Sequence, residues 1–557
     1  MERWISLDEA ATRDPGVAGA KAAGLARARA AGLPVLPGAV LPVVASAPAV
    51  AAGVRTLRRS GLPAAYLRAT AAGADAAVSP PAELEDGPWV VRSSTALDDD
   101  GRWSGAFASY LDVAPSDLAA AVRGCWASAF GRDAAARCDA AGRDVASIRV
   151  GVLVQPFVRF DAGGTARVEA DGTVVVTAAA GGPAGVVGRG DGREMVVAPG
   201  GRTEGIVPPG VRHEDVQTAA ELARATRAIT DASSIEWGAA AGALTLLQLG
   251  PRRAPAARTR SVRSEVSPGT ERLARLVAAF PGPLGLVLVL PWAVGADATP
   301  QSAHSHARPD PDAFSEARSI AAKLASEVWG TEGSEATART IDLARLVWAG
   351  RHDDALRMIG GLRPPDPVRA ASVLATVNAV GERLAREGRL PAAPLLWRLT
   401  PDEVTLALRG AVAPIRRGPD RWEPFVAHVV RSRGTAVKAT PVSPGMGAGP
   451  AHRVEHLGGA LRPVPRSVLV ATRPLPHLAP LLWHSAGLVT LDGSSGAHLF
   501  EVARALGVPA VAGVGGKELP PGALLAVDGD GGTVSVLKDR AAREPSAAVD
   551  LVGTRSD

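Results

Sequence analysis

A single histidine, His498, stands where the Gly/Ser-rich loop "GSSGA" runs into a short helical pattern. Apolar residues at helical spacing predict a helix over 498–506, whose buried stripe is Leu499, Val502, Ala503 and Leu506. His498 is then predicted to be half exposed at the helix start, with Glu501 on its solvent side. Free N–H groups there suit a phosphate, with Ser494 and Ser495 as further donors, and a neutral imidazole is a competent nucleophile for phosphorus. A histidine that merely caps or packs the helix start fits the same pattern.

Glu236 and Gln248 form a second candidate site, twelve residues apart in "SIEWGAAAGALTLLQLG", which reads as a β-hairpin around Gly242. If the loop has an odd number of residues centred on Gly242, the two side chains lie opposite each other on one face. A carboxylate and an amide oxygen side by side suit Mg²⁺ carried by a nucleotide. With an even loop they would point to opposite faces, as two polar groups on a solvated hairpin.

The elements that must position these residues fall into three parts. Residues 1–255 alternate strands with helices, and the polar, basic stretch "PRRAPAARTRSVRSEVSPG" after them reads as a linker. Residues 256–435 show mostly helical patterns, including a helix that starts at Thr400 and Pro401. Strand signals return over 436–540 and end in the hairpin "LLAVDGDGGTVSVL". Residues 541–557 are predicted to be a disordered tail. The expected fold class is multidomain α/β.

Composition restricts the classes of partner. The 557 residues are 46% hydrophobic, and the net charge of +5 is small against 61 basic and 56 acidic side chains. No basic stripe interleaved with aromatic residues points to nucleic acid, and the longest apolar run is too short to cross a membrane. Two cysteines, Cys125 and Cys138, and an N-terminus without a signal pattern favour a cytoplasmic protein.

The segment around His498 resembles a known signature. "SSGAHLFEVARALGVPAVAGV" is similar to the phosphohistidine motif of the phosphoenolpyruvate synthase and pyruvate phosphate dikinase family of PEP-utilising enzymes, with its histidine followed by "AR", "LG" and "PAV". "PVSPGMGAGPAHRV" and "AVDGDGGTVSVL" resemble the flanks of that domain, so the likeness covers about 441–537. The resemblance implies that His498 accepts a phosphoryl group from ATP and passes it on, on a swivelling β/α domain.

Four upstream segments resemble the nucleotide domain of the same family, in the same order. They are "AGAKAAGLARARAAGLPVLPG", "VVRSSTALDDD", "SGAFASYLDV" and "IEWGAAAGALTLLQLGP", from about 19 to 251. The resemblance implies an ATP-grasp-like domain that binds ATP and Mg²⁺. Lys21 and Arg92 would neutralise polyphosphate charge, Arg92 bidentately, and Glu236 and Gln248 would contact ATP and the metal.

Several positions depart from the family pattern. Gly250 replaces an arginine two residues after the glutamine, and Ser234 replaces an acid two residues before the glutamate. Ala20 stands inside the usual Gly-Gly-Lys, and Ala497 replaces the Ser, Thr or Cys that usually precedes the histidine. These departures leave open a specialised nucleotide site or a degenerate, non-catalytic regulatory homologue.

The region expected to carry the acceptor has no recognisable substrate motif. Members that handle pyruvate carry a C-terminal barrel, whereas about twenty residues follow the histidine domain here, so pyruvate is not expected as a substrate of this chain alone. The order of parts more closely resembles rifampicin phosphotransferase and related three-part enzymes, in which a helical middle domain binds the acceptor. A phosphorylated small molecule, AMP and inorganic phosphate are the implied products. A separate barrel subunit as partner is an alternative, as is use of the activated phosphate for ligation. "SAHSHARPDPD", with His304 and His306, could be a metal or acceptor site or a solvated loop.

Overall fold

The computed structural model describes residues 4–72, 87–251, 380–390, 393–399, 401–412, 423–454, 466–516 and 519–537, with isolated positions at 81, 84 and between 271 and 278. The predicted tail, His304, His306 and most of the predicted helical middle part lie outside these residues. The chain divides into two compact units. The first comprises Met1–Ala256, Ala471–Leu482 and Thr490–Val508, and the second comprises Ala257–Val470, Trp483–Val489 and Pro509–Asp557. The three-part division stays a prediction.

The first unit begins with a five-stranded sheet of order β1-β2-β5-β3-β4. Its strands are β1 (Ile5–Ser6), β2 (Ala39–Leu41), β3 (Trp89–Ser94), β4 (Ser109–Val113) and β5 (Gly151–Pro156). The helices in the same stretch are α1 (Pro15–Ala18), α2 (Ala20–Ala30), α3 (Ala47–Ser60), α4 (Leu62–Ala72), α5 (Leu118–Ala127) and α6 (Arg132–Ala141). Helix α5 packs on β3, and Val91, Val122 and Trp126 are buried in one hydrophobic core. The apolar face of α5 therefore holds β3 in place from one side.

A second sheet in the first unit has the order β11-β10-β6-β7-β8-β9 and is antiparallel throughout. Its strands are β6 (Ala162–Val168), β7 (Val174–Ala180), β8 (Arg193–Val197), β9 (Thr203–Glu204), β10 (Ser234–Ala240) and β11 (Ala243–Leu249). Helix α7 (Ala184–Arg189) connects β7 to β8, and α8 (His213–Thr230) leads to β10. Leu25 of α2, Val216 of α8 and Ile235 of β10 share a buried core. Helices α2 and α8 thus support the sheet that carries the β10–β11 hairpin.

The C-terminal part forms an eight-stranded sheet of order β12-β19-β18-β14-β15-β16-β17-β13, nearly all in the second unit. The strands are β12 (Thr435–Lys438), β13 (Thr440–Ser443), β14 (Met446–Val454), β15 (Val468–Ala471), β16 (Gly487–Thr490), β17 (Ala510–Ala512), β18 (Leu524–Asp528) and β19 (Thr533–Leu537). The remaining helices are α9 (Pro401–Leu408), α10 (Glu423–Arg433), α11 (Ala479–Leu482) and α12 (His498–Leu506). Helices α11 and α12 belong to the first unit.

Most local predictions within the described residues are confirmed. The helix of "GAKAAGLARARAAG" is α2, the strand of "PWVVRSS" is β3, and the helix starting at Pro401 is α9. The closing hairpin is the antiparallel pair β18–β19. Within the described part of the chain, no helix is long and apolar enough to cross a bilayer.

Candidate functional site

Helix α12 begins at His498 and ends at Leu506, as the apolar spacing predicts. Its N-cap is Ala497, which has extended backbone angles, no side-chain capping bond and no exposed surface. The side chain of His498 is only 15% exposed, so the prediction of a half-exposed histidine is wrong. Glu501 is also buried rather than on the solvent side. The physical reason is that a loop of the first unit, which carries Ser104, covers that face of the helix.

The Gly/Ser loop before the helix is packed rather than projecting. The Ser494 amide donates to the carbonyl of Gly190, and the Ser495 amide donates to the Glu194 carboxylate. A Cβ added at Gly496 would lie 2.5 Å from Thr165 Oγ1. Close approach of the loop backbone to β6 therefore requires glycine at this position. The Ser494 hydroxyl is buried and has no hydrogen-bond partner in the described part of the chain.

The two ring nitrogens of His498 face different groups. Nδ1 lies 2.7 Å from Ser104 Oγ and 3.3 Å from Glu501 Oε2, and Ser104 Oγ also donates to Glu501 Oε2. Nε2 faces the hairpin, 4.0 Å from Glu236 Oε1. Burial opposes ionisation of Glu501, but the hydrogen bond and charge interaction with His498, the hydrogen bond from Ser104 and the charge of Arg504 together outweigh it and hold the pKa of this carboxyl below its usual range. The ring is thus held from its Nδ1 side, with Nε2 turned toward β10.

Glu236 of β10 and Gln248 of β11 are directly paired across the hairpin. The turn between Ala240 and Ala243 has two residues, Ala241 and Gly242, both with positive φ, so the loop is even. The register nevertheless shifts by one residue between Glu236 and Trp237, because β11 contains a bulge. The bulge accounts for the twelve-residue spacing at which the two side chains are directly paired.

Arg92 of β3 joins this pair. Its guanidinium donates to Gln248 Oε1 at 2.7 Å and to the carbonyl of Leu247, and it lies 3.7 Å from the Glu236 carboxylate. The structure therefore brings together His498, Glu236, Gln248 and Arg92, from four different elements. A carboxylate, an amide oxygen and a forked cation around one histidine can bind a phosphate group and a divalent cation.

Lys21 is placed separately, in the first turn of α2. Its ammonium pairs with Asp98 at 3.3 Å. The preceding Gly19 has a φ of 77°, and a Cβ there would lie 2.2 Å from the carbonyl oxygen of Ser94 at the end of β3. Only glycine allows the start of α2 to approach so closely the strand that carries Arg92.

The two departures in the hairpin lie side by side. The Gly250 amide donates to the Ser234 carbonyl at 2.7 Å, and a Cβ at Gly250 would lie 2.0 Å from Ser234 Oγ. The missing acid and the missing arginine therefore form one local feature, because the serine side chain occupies the space beside the glycine.

Sequence reasoning missed two residues at the site, Ser104 and Arg137. Arg137 of α6 is fully buried and donates to the carbonyls of Arg102 and Ser104 at 3.0 and 2.9 Å, so it holds the loop that carries the serine. Ser104 is 394 positions from His498 in the sequence. Ser104 is the first residue of "SGAFASYLDV", one of the segments that resemble the family, but nothing in that segment assigned a role to its hydroxyl. No sequence signal identified Arg137.

Comparison with known proteins gives two family matches. Residues 67–234 match the family "Pyruvate phosphate dikinase, AMP/ATP-binding domain", and residues 463–532 match "PEP-utilising enzyme, mobile domain". The chain is therefore a mixed α/β protein with a nucleotide-binding domain of the dikinase type and a PEP-utiliser mobile domain.

Curated relatives match over shorter stretches. A phosphoenolpyruvate synthase of Aeropyrum pernix is 35% identical over 120 residues, which are 21% of this chain and 15% of the relative. A probable phosphoenolpyruvate synthase of Archaeoglobus fulgidus is 26% identical over 155 residues, which are 28% and 20% of the two chains. A solved structure of Enzyme I covers 41% of this chain and 75% of its own at 16% identity, but its TM-score of 0.14 is too low to bear on the fold.

Proposed function

The chain carries the nucleotide-binding and mobile domains of the phosphoenolpyruvate synthase and pyruvate phosphate dikinase family, and from that premise we propose that it moves a phosphoryl group from ATP through His498 to a small-molecule acceptor. The observation that carries this proposal is the orientation of the histidine. Its Nε2 faces the Glu236–Gln248–Arg92 group, while its Nδ1 is engaged by Ser104 and Glu501. A nucleophile that faces a phosphate-binding cluster is positioned for phosphoryl transfer.

The described residues fit the groups that this function needs. Lys21 and Arg92 would neutralise polyphosphate charge, and Arg92 already presents two donors to neighbouring oxygens. Glu236 and Gln248 offer two adjacent oxygens to Mg²⁺, which typically takes one or two protein carboxylates together with substrate phosphates. The metal would stabilise charge on the transferring phosphate.

An ATP-grasp-like nucleotide domain and a histidine domain that swivels to the acceptor complete the proposal. The family resemblance supports both, and the expected products are AMP, inorganic phosphate and a phosphorylated small molecule. The acceptor is proposed to bind in the helical middle part.

Labelling tests the central step. Incubation of the protein with β-³²P-ATP should give a label that is labile to acid and stable to base, and His498→Ala should abolish it. His213→Ala is the matched control, because His213 also begins a helix, α8, outside the site. Label retained in His498→Ala would refute the role of His498. Product analysis for AMP against ADP then identifies the class of reaction.

A degenerate regulatory homologue is the second candidate, and the Ser234–Gly250 pair favours it. The closely packed pair leaves neither an acid nor an arginine at these two positions of the hairpin. ATP binding measured by calorimetry without any histidine label would support this candidate. Label that appears only after a separate barrel protein is added would instead support a split enzyme.

A further inference from the structure

We propose that Glu501, acting through Ser104 and directly, is a positioning residue that keeps the proton of His498 on Nδ1 and so leaves the lone pair on Nε2. The inference rests on the proposed function for its kinetic consequence. Its structural part, the position of one proton, stands without it. Glu501 lies one helical turn after His498 in α12, buried against the loop that carries Ser104.

The proton positions follow from counting donors. An ionised carboxylate only accepts hydrogen bonds, so the single hydroxyl proton of Ser104 points to Glu501 Oε2. Ser104 Oγ must then accept from His498 Nδ1, 2.7 Å away, and Nδ1 must carry a proton. The direct approach of Nδ1 to Glu501 Oε2 at 3.3 Å favours the same proton position. In a neutral imidazole the other nitrogen, Nε2, then holds the free lone pair.

The charge of Glu501 decides the direction of this chain of hydrogen bonds. A neutral group able to donate to Ser104 Oγ would turn the hydroxyl proton toward Nδ1 and move the ring proton to Nε2. The hydrogen bonds from His498 and Ser104, together with the charges of His498 and Arg504, hold the pKa of Glu501 below its usual range and keep the carboxylate ionised despite burial.

Ser104 is not itself placed as a nucleophile. In a hydrolytic Ser–His–acid triad the serine and the acid contact opposite nitrogens of the imidazole. Here Ser104 and Glu501 both contact Nδ1, while Nε2 lies 4.0 Å from Glu236 Oε1, beyond hydrogen-bond distance. The geometry therefore assigns the attacking role to Nε2 of His498.

The transfer step balances with this arrangement. The Nε2 lone pair forms the N–P bond, the P–O bond to the leaving group breaks, and the leaving oxygen keeps that electron pair. The ring retains its Nδ1 proton and gains one positive charge. The Glu501 carboxylate, reached directly and through Ser104, compensates this charge in a buried site where such an interaction is strong.

Nitrogen NMR of the full-length protein tests the proton position directly. Protein labelled with ¹⁵N in its histidine rings shows a resonance for each ring nitrogen. The two resonances of His498 are those that disappear in His498→Ala. The wild type should show a protonated Nδ1 and an unprotonated Nε2 at neutral pH. A protonated Nε2 with an unprotonated Nδ1 would overturn the proposal. This test requires neither enzymatic activity nor a variant of Glu501.

Variants test the kinetic consequence. Glu501→Gln removes the charge that holds the ring proton on Nδ1 and should lower the rate of His498 labelling by ATP roughly 10²-fold or more, by analogy with loss of an orienting carboxylate. ATP affinity should stay unchanged. Ser104→Ala should keep the proton on Nδ1 through the direct contact and lower the rate less. Glu221→Gln, on the exposed face of α8, is the matched control and should match the wild type.

The two proposals fail in different ways. A wild type that never labels refutes the proposed function and leaves the NMR result to decide on Glu501. A Glu501→Gln protein that labels at the wild-type rate refutes the role of Glu501 and leaves the function intact. If Glu501→Gln does not fold, Glu501→Asp, which keeps the charge on a shorter side chain, should retain the Nδ1 proton, and a switch to Nε2 in this variant would overturn the inference.

Discussion

Replacement of Arg137 by methionine should unfold the region around the Ser104 loop more readily than any surface substitution. The guanidinium is fully buried and makes two bonds to Asp133, at 3.2 and 2.9 Å. It also donates to the carbonyls of Arg102, Ser104 and Pro476. Methionine keeps a similar length and removes the charge and every donor, so four acceptor groups each lose a charged donor at once.

The magnitude follows from what remains after the change. Removal of one partner of a buried ion pair costs about 3–5 kcal/mol, because the other charge stays buried and unpaired. The Asp133 side chain is 22% exposed, so water relieves part of this cost, whereas the three carbonyls each lose a charged donor. A loss of about 3–5 kcal/mol is a large share of a typical domain stability of about 5–15 kcal/mol.

The penalty should also depend on pH, with a definite sign. Burial raises the pKa of Asp133 and lowers the pKa of Arg137, and each partner opposes the shift of the other. Without Arg137 the pKa of Asp133 rises further. A carboxyl whose pKa is raised on folding binds more protons in the folded state, so stability falls as pH rises from the unfolded value through the folded one. The destabilisation by Arg137→Met should therefore be smaller at pH 5 than at pH 8.

Peptide-resolved hydrogen exchange measures the opening of α6 without assuming two-state unfolding of the whole chain. Arg149→Met is the matched control, because Arg149 is exposed and donates to the nearby carbonyls of Ala146 and Ile148, and its effect should stay within about 0.5 kcal/mol. Asp133→Asn combined with Arg137→Met should recover part of the loss and remove its pH dependence. Equal protection of α6 in Arg137→Met and Arg149→Met would refute the reasoning.

Three further predictions concern the site and the core. Gly496→Ala places a methyl group 2.5 Å from a threonine hydroxyl of β6 and should lower the opening free energy of the histidine loop, measured by hydrogen exchange, by about 1–3 kcal/mol. Gly188→Ala, with open space around it, should leave this free energy unchanged. Burial raises the pKa of Cys125 and of Cys138 to about 12, so only about 10⁻⁴ of each thiol is ionised at pH 8. Both thiols should therefore resist thiol reagents until the protein unfolds, and fast labelling of the native protein would contradict this. Arg92→Lys keeps the charge and loses the fork, so calorimetry should show ATP affinity lower by about tenfold, and an unchanged affinity would count against a phosphate contact.

Local patterns in the sequence predicted local structure well. The apolar spacing of 498–506 gave the bounds of α12, and "PWVVRSS" gave β3. The helix pattern failed for Glu501, because periodicity divides a helix into an apolar and a polar face without knowing which surfaces cover it. The loop that buries Glu501 comes from a segment almost 400 positions away.

Contacts between distant segments also explain why the sequence did not identify Ser104 or Arg137 as site residues. A serine in a loop and an arginine in a helix have many uses, and neither spacing nor composition selects the one found here. Their roles depend on contacts between distant segments, such as the bond from Arg137 to the carbonyl of Pro476, 339 positions away. The sheet register was likewise beyond spacing arguments, since a bulge changes the count by one.

The bulge in β11 bears on two properties of the hairpin, the pairing of Glu236 with Gln248 and the carbonyl that accepts from Arg92, and a single deletion could distinguish them. In a regular ladder that starts from the two-residue turn, the residue at position 247 would pair with Glu236. Deletion of Leu247 would move the glutamine into that position, so it would still lie opposite the glutamate. What would disappear is the extra carbonyl, which now accepts from Arg92. The inserted residue therefore contributes main-chain chemistry rather than alignment: it anchors the arginine to the hairpin through an atom that no side-chain substitution can remove.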